Sequence, residues 1–265
     1  MTRAITSPAA SSAFQTGMLT RIVSYLVLAY AAYAASQLGF SWERFVSGLG
    51  KGGTFLGRMF PPDFSKSDIL WDGISETLQI AVLASLLGIL LSLPIGLLGA
   101  RNLMPGWVSW PARALVSVCR SLHPVIVAIL FVKAVGFGAL VGVLALVVAS
   151  IGFIGKLFSE AIEEISSKQV EAVRATGASF MNVILFGVLP QVLPRFVGFA
   201  TYQLDSNLRN STMVGIVGAG GVGGVLFSAF QRFDYDFVLT ILLTIIAIIV
   251  VGELLANSVK KVFHV

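Results

Sequence analysis

Residues 77–100 read TLQIAVLASLLGILLSLPIGLLGA, with Glu76 before them and Arg101 after. No charge interrupts the stretch. A bilayer core of about 30 Å needs roughly 20 mainly apolar helical residues, and this segment supplies them. Its backbone must be helical there, because hydrocarbon offers no partner to an open N–H or C=O. The whole chain points the same way. Of its 265 residues, 56% are hydrophobic and 12% charged, and the mean hydropathy is +0.90. A soluble domain is roughly 25% charged. Thirteen acids and eighteen bases cannot coat a globule of this length. Soluble, disordered and coiled-coil classes are excluded by the scarcity of charge. What remains is an all-α membrane protein.

Three further stretches have the same character: 22–42 between Arg21 and Glu43, 134–155 between Lys133 and Lys156, and 237–252 between Asp236 and Glu253. The last can continue through Ala256. Residues 107–135 and 191–211 are apolar but carry Arg113, Arg120 and Lys133, and Arg195, Asp205 and Arg209. Counting both gives about six transmembrane helices and places every connection consistently. The first stretch is too long for the apolar region of a signal peptide. Lys and Arg near the span ends set direction. With the N-terminus inside, Arg3, Arg21, Arg101, Arg113, Lys156, Lys168, Arg174, Arg195, Lys260 and Lys261 are cytoplasmic, and both termini are inside. The expected organisation is a tail and first span over 1–40, an outer interfacial connection over 41–72, a core over 73–258 with an inner loop at about 157–190, and a cytoplasmic tail over 259–265.

Several chemistries find no residues. Cys119 is the sole cysteine, so there is no internal disulfide and no cysteine-built metal site. His123 and His264 are too far apart for a local metal motif. The net charge of +5 is scattered, which suits membrane orientation better than nucleic-acid binding. A phosphate-binding P-loop needs G-x4-G-K-[ST]. Gly155-Lys156 is followed by leucine and Gly50-Lys51 by glycine, so neither matches.

The inner loop with its flanks reads KLFSEAIEEISSKQVEAVRATGASFMNVILFGVLPQVLPRF and holds the densest charge in the chain. Ser159–Ile165 reads as an amphipathic helix and Gln169–Thr176 as a second short one. Gly177 ends or bends it, since glycine tolerates the left-handed cap. A further short helix is expected to run to Leu189-Pro190. Short helices broken by glycine on a membrane face make a knob for a partner's groove.

Glu171-Ala172-Val173, then Gly177 after three intervening residues, and Leu189-Pro190 after a spacer resemble the EAA loop of ABC-importer permeases. Val173 stands where that pattern has alanine, and Gly187 where it has isoleucine. SEAIEEI, VEAVRATGAS, GVLPQVLP and DSNLRNSTMVGIVGAGGVGG are similar to the phosphonate-import (PhnE-like) permeases, over roughly residues 70–260. The resemblance implies a type I ABC importer permease fold with cytoplasmic coupling helices, in a bacterial inner membrane. It implies a second permease copy, two ATPase subunits that each take one loop, and an extracytoplasmic substrate-binding protein. ATP and Mg would sit on the ATPase subunits, with no cofactor or catalytic site in this chain. Glu171, Ala172, Gly177, Ala178, Ser179, Leu189 and Pro190 are the implied coupling residues. The implied cargo is phosphonate or a related oxyanion.

Other features carry competing readings. Gly218, Gly220, Gly221 and Gly223 match G-x-G-x-x-G, but a dinucleotide site needs that turn within a soluble βαβ unit. A flexible bend in an outer connection over 210–235, or an outer gate, are the alternatives. Arg120 and Asp205 fall at similar depths in their spans, and intramembrane charges pair or face a cavity. They are read as an ion pair between helices or as lining for an anion path. Asn207 and Arg209 follow on the second of these spans; Arg209, four residues after Asp205, pairs with it locally or touches the oxyanion. Glu76 suits the outer start of its helix. Pro94 and Pro124 are expected to kink theirs. His123 reads as a hydrogen-bonded interior residue and Cys119 as core packing. The competing function is a gradient-driven secondary transporter or channel, a class that often shows internal repeats. No repeat links the two halves of this chain. A membrane-embedded enzyme would need a His/Asp/Glu cluster that is likewise absent from the sequence.

Overall fold

The computed structural model describes residues 17–39 and 41–262, so Arg3 and His264 lie outside the described residues. The chain divides into two units, residues 1–57 and 58–265.

In the first unit, α1 (Met18–Gln37) is apolar over twenty residues, long enough to cross a bilayer. Helix α2 (Trp42–Gly57) is amphipathic, with the Trp42 and Phe45 rings stacked 5.5 Å apart. Amphipathicity is the property that suits a helix to lie along a membrane surface.

The second unit holds α3 (Ser67–Gly99), α4 (Gly106–Ser121), α5 (Pro124–Val135), α6 (Ala139–Glu163), α7 (Ser167–Ala175), α8 (Phe180–Asn182), α9 (Leu189–Val214), α10 (Gly221–Gln231) and α11 (Tyr235–Val262). Wide π-helical turns occupy Val183–Val188 and Gly215–Ala219, one at each end of α9. Among the described residues of the whole chain, five helical runs suit a membrane span, or six if the bent pair α4–α5 is one.

Several expected boundaries shift. Helix α3 starts at Ser67, inside the stretch expected as a connection, because Ile69, Leu70 and Ile74 extend its apolar pattern. Glu76 is therefore in its third turn, not at its start. The expected span 107–135 is two helices bent by 92°. Pro124 begins the second, and the His123 ring accepts the Val125 N–H at 3.3 Å as its cap. His123 is exposed, not interior; Cys119 is buried as expected. Pro94 sits within the continuous run of α3. The segment Ser159–Glu163, expected to start a separate helix, is the last turn of α6. The expected span 191–211 is the middle of a 40-residue run, Phe180–Ala219.

Three apolar clusters stack along α3. Leu70, Val222, Leu226 and Phe237 pack near its Ser67 end. Ile80, Ala84, Leu146 and Val214 fill the middle. Ala100, Phe158, Ile162, Val170 and Val192 close the end beside α7. This ladder gives a level along the bundle against which the site residues can be placed.

Candidate functional site

The loop at the α7 end is built on a buried strip. Val170 is buried, and Gly187 fits beneath α7 so that a Cβ there would lie 3.5 Å from Val170 Cα and 3.6 Å from Val173 Cγ2. A Cβ at 187 would make ordinary van der Waals contact, and only the further carbons of a larger side chain, such as the isoleucine of the family pattern, would press on α7. Glu171, Ala172, Arg174 and Ala175 are left facing outward. Gly177 has φ +78° and donates its N–H to the Arg174 carbonyl at 3.0 Å, ending the helix as expected. Ala178 is half-buried and Ser179 exposed, leading into α8. Leu189-Pro190 does not end a helix; it opens α9, where proline's absent N–H costs nothing in the first turn. Pro190 has no N–H for the Phe186 carbonyl four residues earlier, and the wide turn over Val183–Val188 falls there.

Two residues not anticipated weld this loop to α9. The Gln191 side chain accepts the Ser166 N–H at 3.2 Å and donates to the Gly187 carbonyl at 2.6 Å. Arg195 pairs with Glu164 at 2.5 Å. On the other side of α6, Arg113 pairs with Glu163 at 3.1 Å, and Glu163 also accepts the Arg101 backbone N–H at 2.8 Å. Opposite charges flanking the loop were the available signal, but sequence separation hid which would meet.

The middle of the bundle holds a polar knot. Gln203 donates to Ser150 Oγ and to Asn207 Oδ1, both at 2.9 Å. Asn207 donates to Ser85 Oγ at 2.9 Å and to Ser150 Oγ at 3.0 Å. The two serines donate onward to the Ala81 and Leu146 carbonyls. Asn207 is fully buried with both amide protons used, so it binds helices together and does not face a path.

Asp205 lies between these residues in sequence but on another side of α9, since residues two apart point roughly 200° apart. Its Oδ2 accepts from Arg209 at 3.0 Å, the local pair. Its Oδ1 is buried with no hydrogen-bond partner among the described residues. The Arg209 side chain is about half exposed. Arg120 and Asp205 do not pair, which corrects that expectation. Arg120 is exposed on the last turn of α4, and its backbone packs so tightly on Gly152 that a Cβ there would lie 2.8 Å from Arg120 N. Cys119 and Val116 take the buried side of α4, turning Arg120 outward. Arg120 is level with Gly152, and Asp205 with Ser150, near the middle of α6.

The glycine segment is not an outer connection. Ala219 is level with Ile80 and Gly142, and Val222 with Gly73 and Thr77. Thr77 is ten residues into α3, or roughly 15 Å from its start at 1.5 Å per residue. The run from α9 to α10 is thus broken inside the helical bundle, level with the third turn of α3. Gly218, Gly220 and Gly221 have φ of +111°, +82° and +65°. A Cβ on Gly223 would lie 1.9 Å from the Thr212 carbonyl oxygen, so the bend is packed, not loose. A cavity of about 720 Å³ opens beside it, bordered by Lys66, Glu76, Phe137, Gly218, Gly220 and Arg232.

Comparison with known proteins adds the following. Residues 92–264 match the family described as binding-protein-dependent transport system inner membrane component. The chain is 40% identical over 219 residues to the phosphite transport system permease protein PtxC of Stutzerimonas stutzeri, covering 82% of this chain and 80% of that protein. It is 40% identical over 206 residues to the phosphate-import permease protein PhnE of Mycolicibacterium smegmatis, covering 77% of this chain. It spans 39% of that longer relative. A chain of the MetNI methionine ABC transporter, solved in an inward-facing conformation, superposes with a TM-score of 0.67 at 24% identity, over 76% of this chain and 99% of that one. What is shared at that identity is the fold.

Proposed function

This chain belongs to the family of inner membrane components of binding-protein-dependent transport systems, and from that premise we propose that it is the permease subunit of an ABC importer for phosphite, phosphonate or a related oxyanion. The relatives named for phosphite and phosphate transport suggest the cargo. The observation that carries the reading is a pair of exposed arginines level with the middle of α6. Arg120 and Arg209 both reach uncovered surface of the second unit near the middle of α6. A cation at that level is costly against lipid and belongs against a water-filled path or a second subunit. An anion crossing bare apolar surface would be prohibited, so such a path needs water or positive groups. Few are needed. An importer takes affinity from its binding protein, and strong fixed charge would hold the anion back. Arg209, beside the Asp205 carboxylate that moderates it, is the best single contact.

The remaining partners follow from the same reading. Two copies of the permease form the path, and an extracytoplasmic binding protein delivers substrate at the Ser67 end of α3. ATPase subunits, which hold ATP and Mg, dock at the outward side of α7. The bases Arg101, Arg113, Lys156, Lys168, Arg174 and Arg195 at the α7 end support a cytoplasmic side there, and on the same reading both termini are cytoplasmic. Gln191 and Gly187 then pass the movement of α7 directly into α9.

The test is ATP hydrolysis by the complete complex with its binding protein, challenged with phosphite, phosphate and methylphosphonate in turn. One of these should stimulate hydrolysis and be taken up. ATP-independent uptake by the purified chain alone would reject the reading. In the same complex, Arg209→Gln should leave substrate-stimulated hydrolysis in place while uptake falls.

A further inference from the structure

We infer that Glu76 and Thr77 are positioning residues for translocation, holding the break between α9 and α10 by accepting two successive backbone N–H groups. The inference rests on the importer reading above. Glu76 Oε2 accepts the Gly221 N–H at 2.6 Å, and Thr77 Oγ1 accepts the Val222 N–H at 2.8 Å. These are the first amides of α10, which have no acceptor within their own helix. A capping side chain normally belongs to the residue just before the helix. Gly220 holds that position here and has no side chain, so α3 supplies the cap from 145 residues away. The carboxylate also meets the positive end of the α10 dipole. Thr77 gives its own proton to the Gly73 carbonyl at 2.9 Å, which leaves its oxygen to accept. The fit has no slack. A Cβ on Gly220 would stand 2.4 Å from Glu76 Oε1, and one on Gly221 2.5 Å from Thr77 Oγ1.

Irregular backbone in a membrane protein is tolerated where protein buries it or where it lines a water-filled cavity. This break does both. Ala219 and Gly221 are buried, while Gly218 and Gly220 border the 720 Å³ cavity. At its other end α10 is tied back to α3 by the ion pair of Asp234 with Lys66. The clamp thus sets one wall of the cavity without touching α7, Arg120 or Arg209. Its loss frees two orphan amides and lets the break drift, while the loop that meets the ATPase stays intact. The expected defect is uncoupling: ATP is hydrolysed and less substrate arrives.

The experiment uses the complete complex with Glu76→Ala, Glu76→Gln, Thr77→Val and Thr77→Ser. Glu76→Ala and Thr77→Val should assemble with basal hydrolysis near wild type, and ATP consumed per substrate imported should rise about tenfold, the scale of one lost buried hydrogen bond. Thr77→Ser and Glu76→Gln each keep an acceptor oxygen and should recover most of the coupling. Normal coupling in both Glu76→Ala and Thr77→Val overturns the inference, as does a Thr77→Ser as impaired as Thr77→Val. Should Glu76→Ala fail to assemble, the Thr77 pair, which alters no charge, decides alone. A second readout needs no substrate. Ser228 is exposed and borders the cavity. Ser228→Cys in a Cys119→Ala background should react about tenfold faster with an impermeant maleimide when Thr77→Val is added, and return to its starting rate with Thr77→Ser. Unchanged labelling would refute the positioning role and leave the importer reading standing. Faster labelling in a complex that no oxyanion stimulates would reject the cargo and keep the clamp.

Discussion

Gly88 and Ser150 meet so closely that a methyl group on Gly88 would stand 2.3 Å from Ser150 Cβ. Helices α3 and α6 touch here through their backbones, the contact that small residues permit between membrane helices. The approach seats the Ser150 hydroxyl beneath α9, where Gln203 and Asn207 both donate to it. Close packing and polar satisfaction are one feature at this level of the bundle.

Asn207→Ala should therefore cost about 1–3 kcal/mol, because it takes the acceptor from one Gln203 donor and the donor from Ser85 inside the buried core. The measurement is the thermal unfolding midpoint of the detergent-solubilised complex. A wild-type midpoint would count against the knot as a stabilising element.

The charges beside it should separate by double-mutant cycles. Removing Arg209 leaves the Asp205 carboxylate without its cation and with one oxygen already buried and unpaired, so adding Asp205→Ala should restore part of the loss. A coupling of about 1 kcal/mol is expected for residues in direct contact. Arg120→Ala and Asp205→Ala share no contact and should add within about 0.3–0.5 kcal/mol. Strong coupling between Arg120 and Asp205 would contradict the geometry.

Gly177→Leu should impair ATPase docking and uptake in parallel. No atom lies within 4 Å of a Cβ built at Gly177, so the obstacle is its φ of +78° and not crowding. The left-handed conformation costs an ordinary residue roughly 1–2 kcal/mol. Gly177→Asn, which visits that conformation more readily, should be milder. Retention of ATPase subunits on the purified permease reports the effect, and normal retention with Leu would sink it.

The segment before α3 offers a pH test. The Ser65 hydroxyl and backbone N–H both donate to the Asp63 carboxylate, and with Lys66 nearby they hold its titration below the ordinary value of 3.8. A depressed value in the folded state contributes stability above the unfolded value, which is lost as pH falls through the folded one. The turn should thus persist at pH 4 and loosen only below it. The ¹³C shift of the Asp63 carboxyl should show this, and Ser65→Ala should move the transition upward.

Much of this architecture is legible in residue order. Charge-free stretches locate the membrane helices because burying unpaired charge is prohibitive. Charges mark where the chain leaves the apolar layer, however, and not where a helix begins, which is why Ser67–Asp72 reads as a connection. Pro124 announces a break but not its 92° angle. That Arg120 and Asp205 share a level along the bundle is recoverable by counting residues, whereas direction around the axis depends on the neighbours each helix acquires. The glycine-rich segment misleads for a related reason. Glycine density marks loops and tight internal contacts alike, and only the approach of Glu76 and Thr77 from elsewhere in the chain tells them apart.

The wide turns at both ends of α9 have a mechanical consequence. Between them lies a helix of 26 residues, roughly 39 Å long at 1.5 Å per residue. One joint sits beneath α7 and the other at the break beside the cavity. An α-helix is stiff along its axis, and a π turn is where that axis gives way most readily. Helix α9 is thus a connecting rod with a bearing at each end. A tilt imposed at the α7 end would travel along α9 to the far bearing past Pro194, whose missing N–H leaves a softer point in the first part of the shaft.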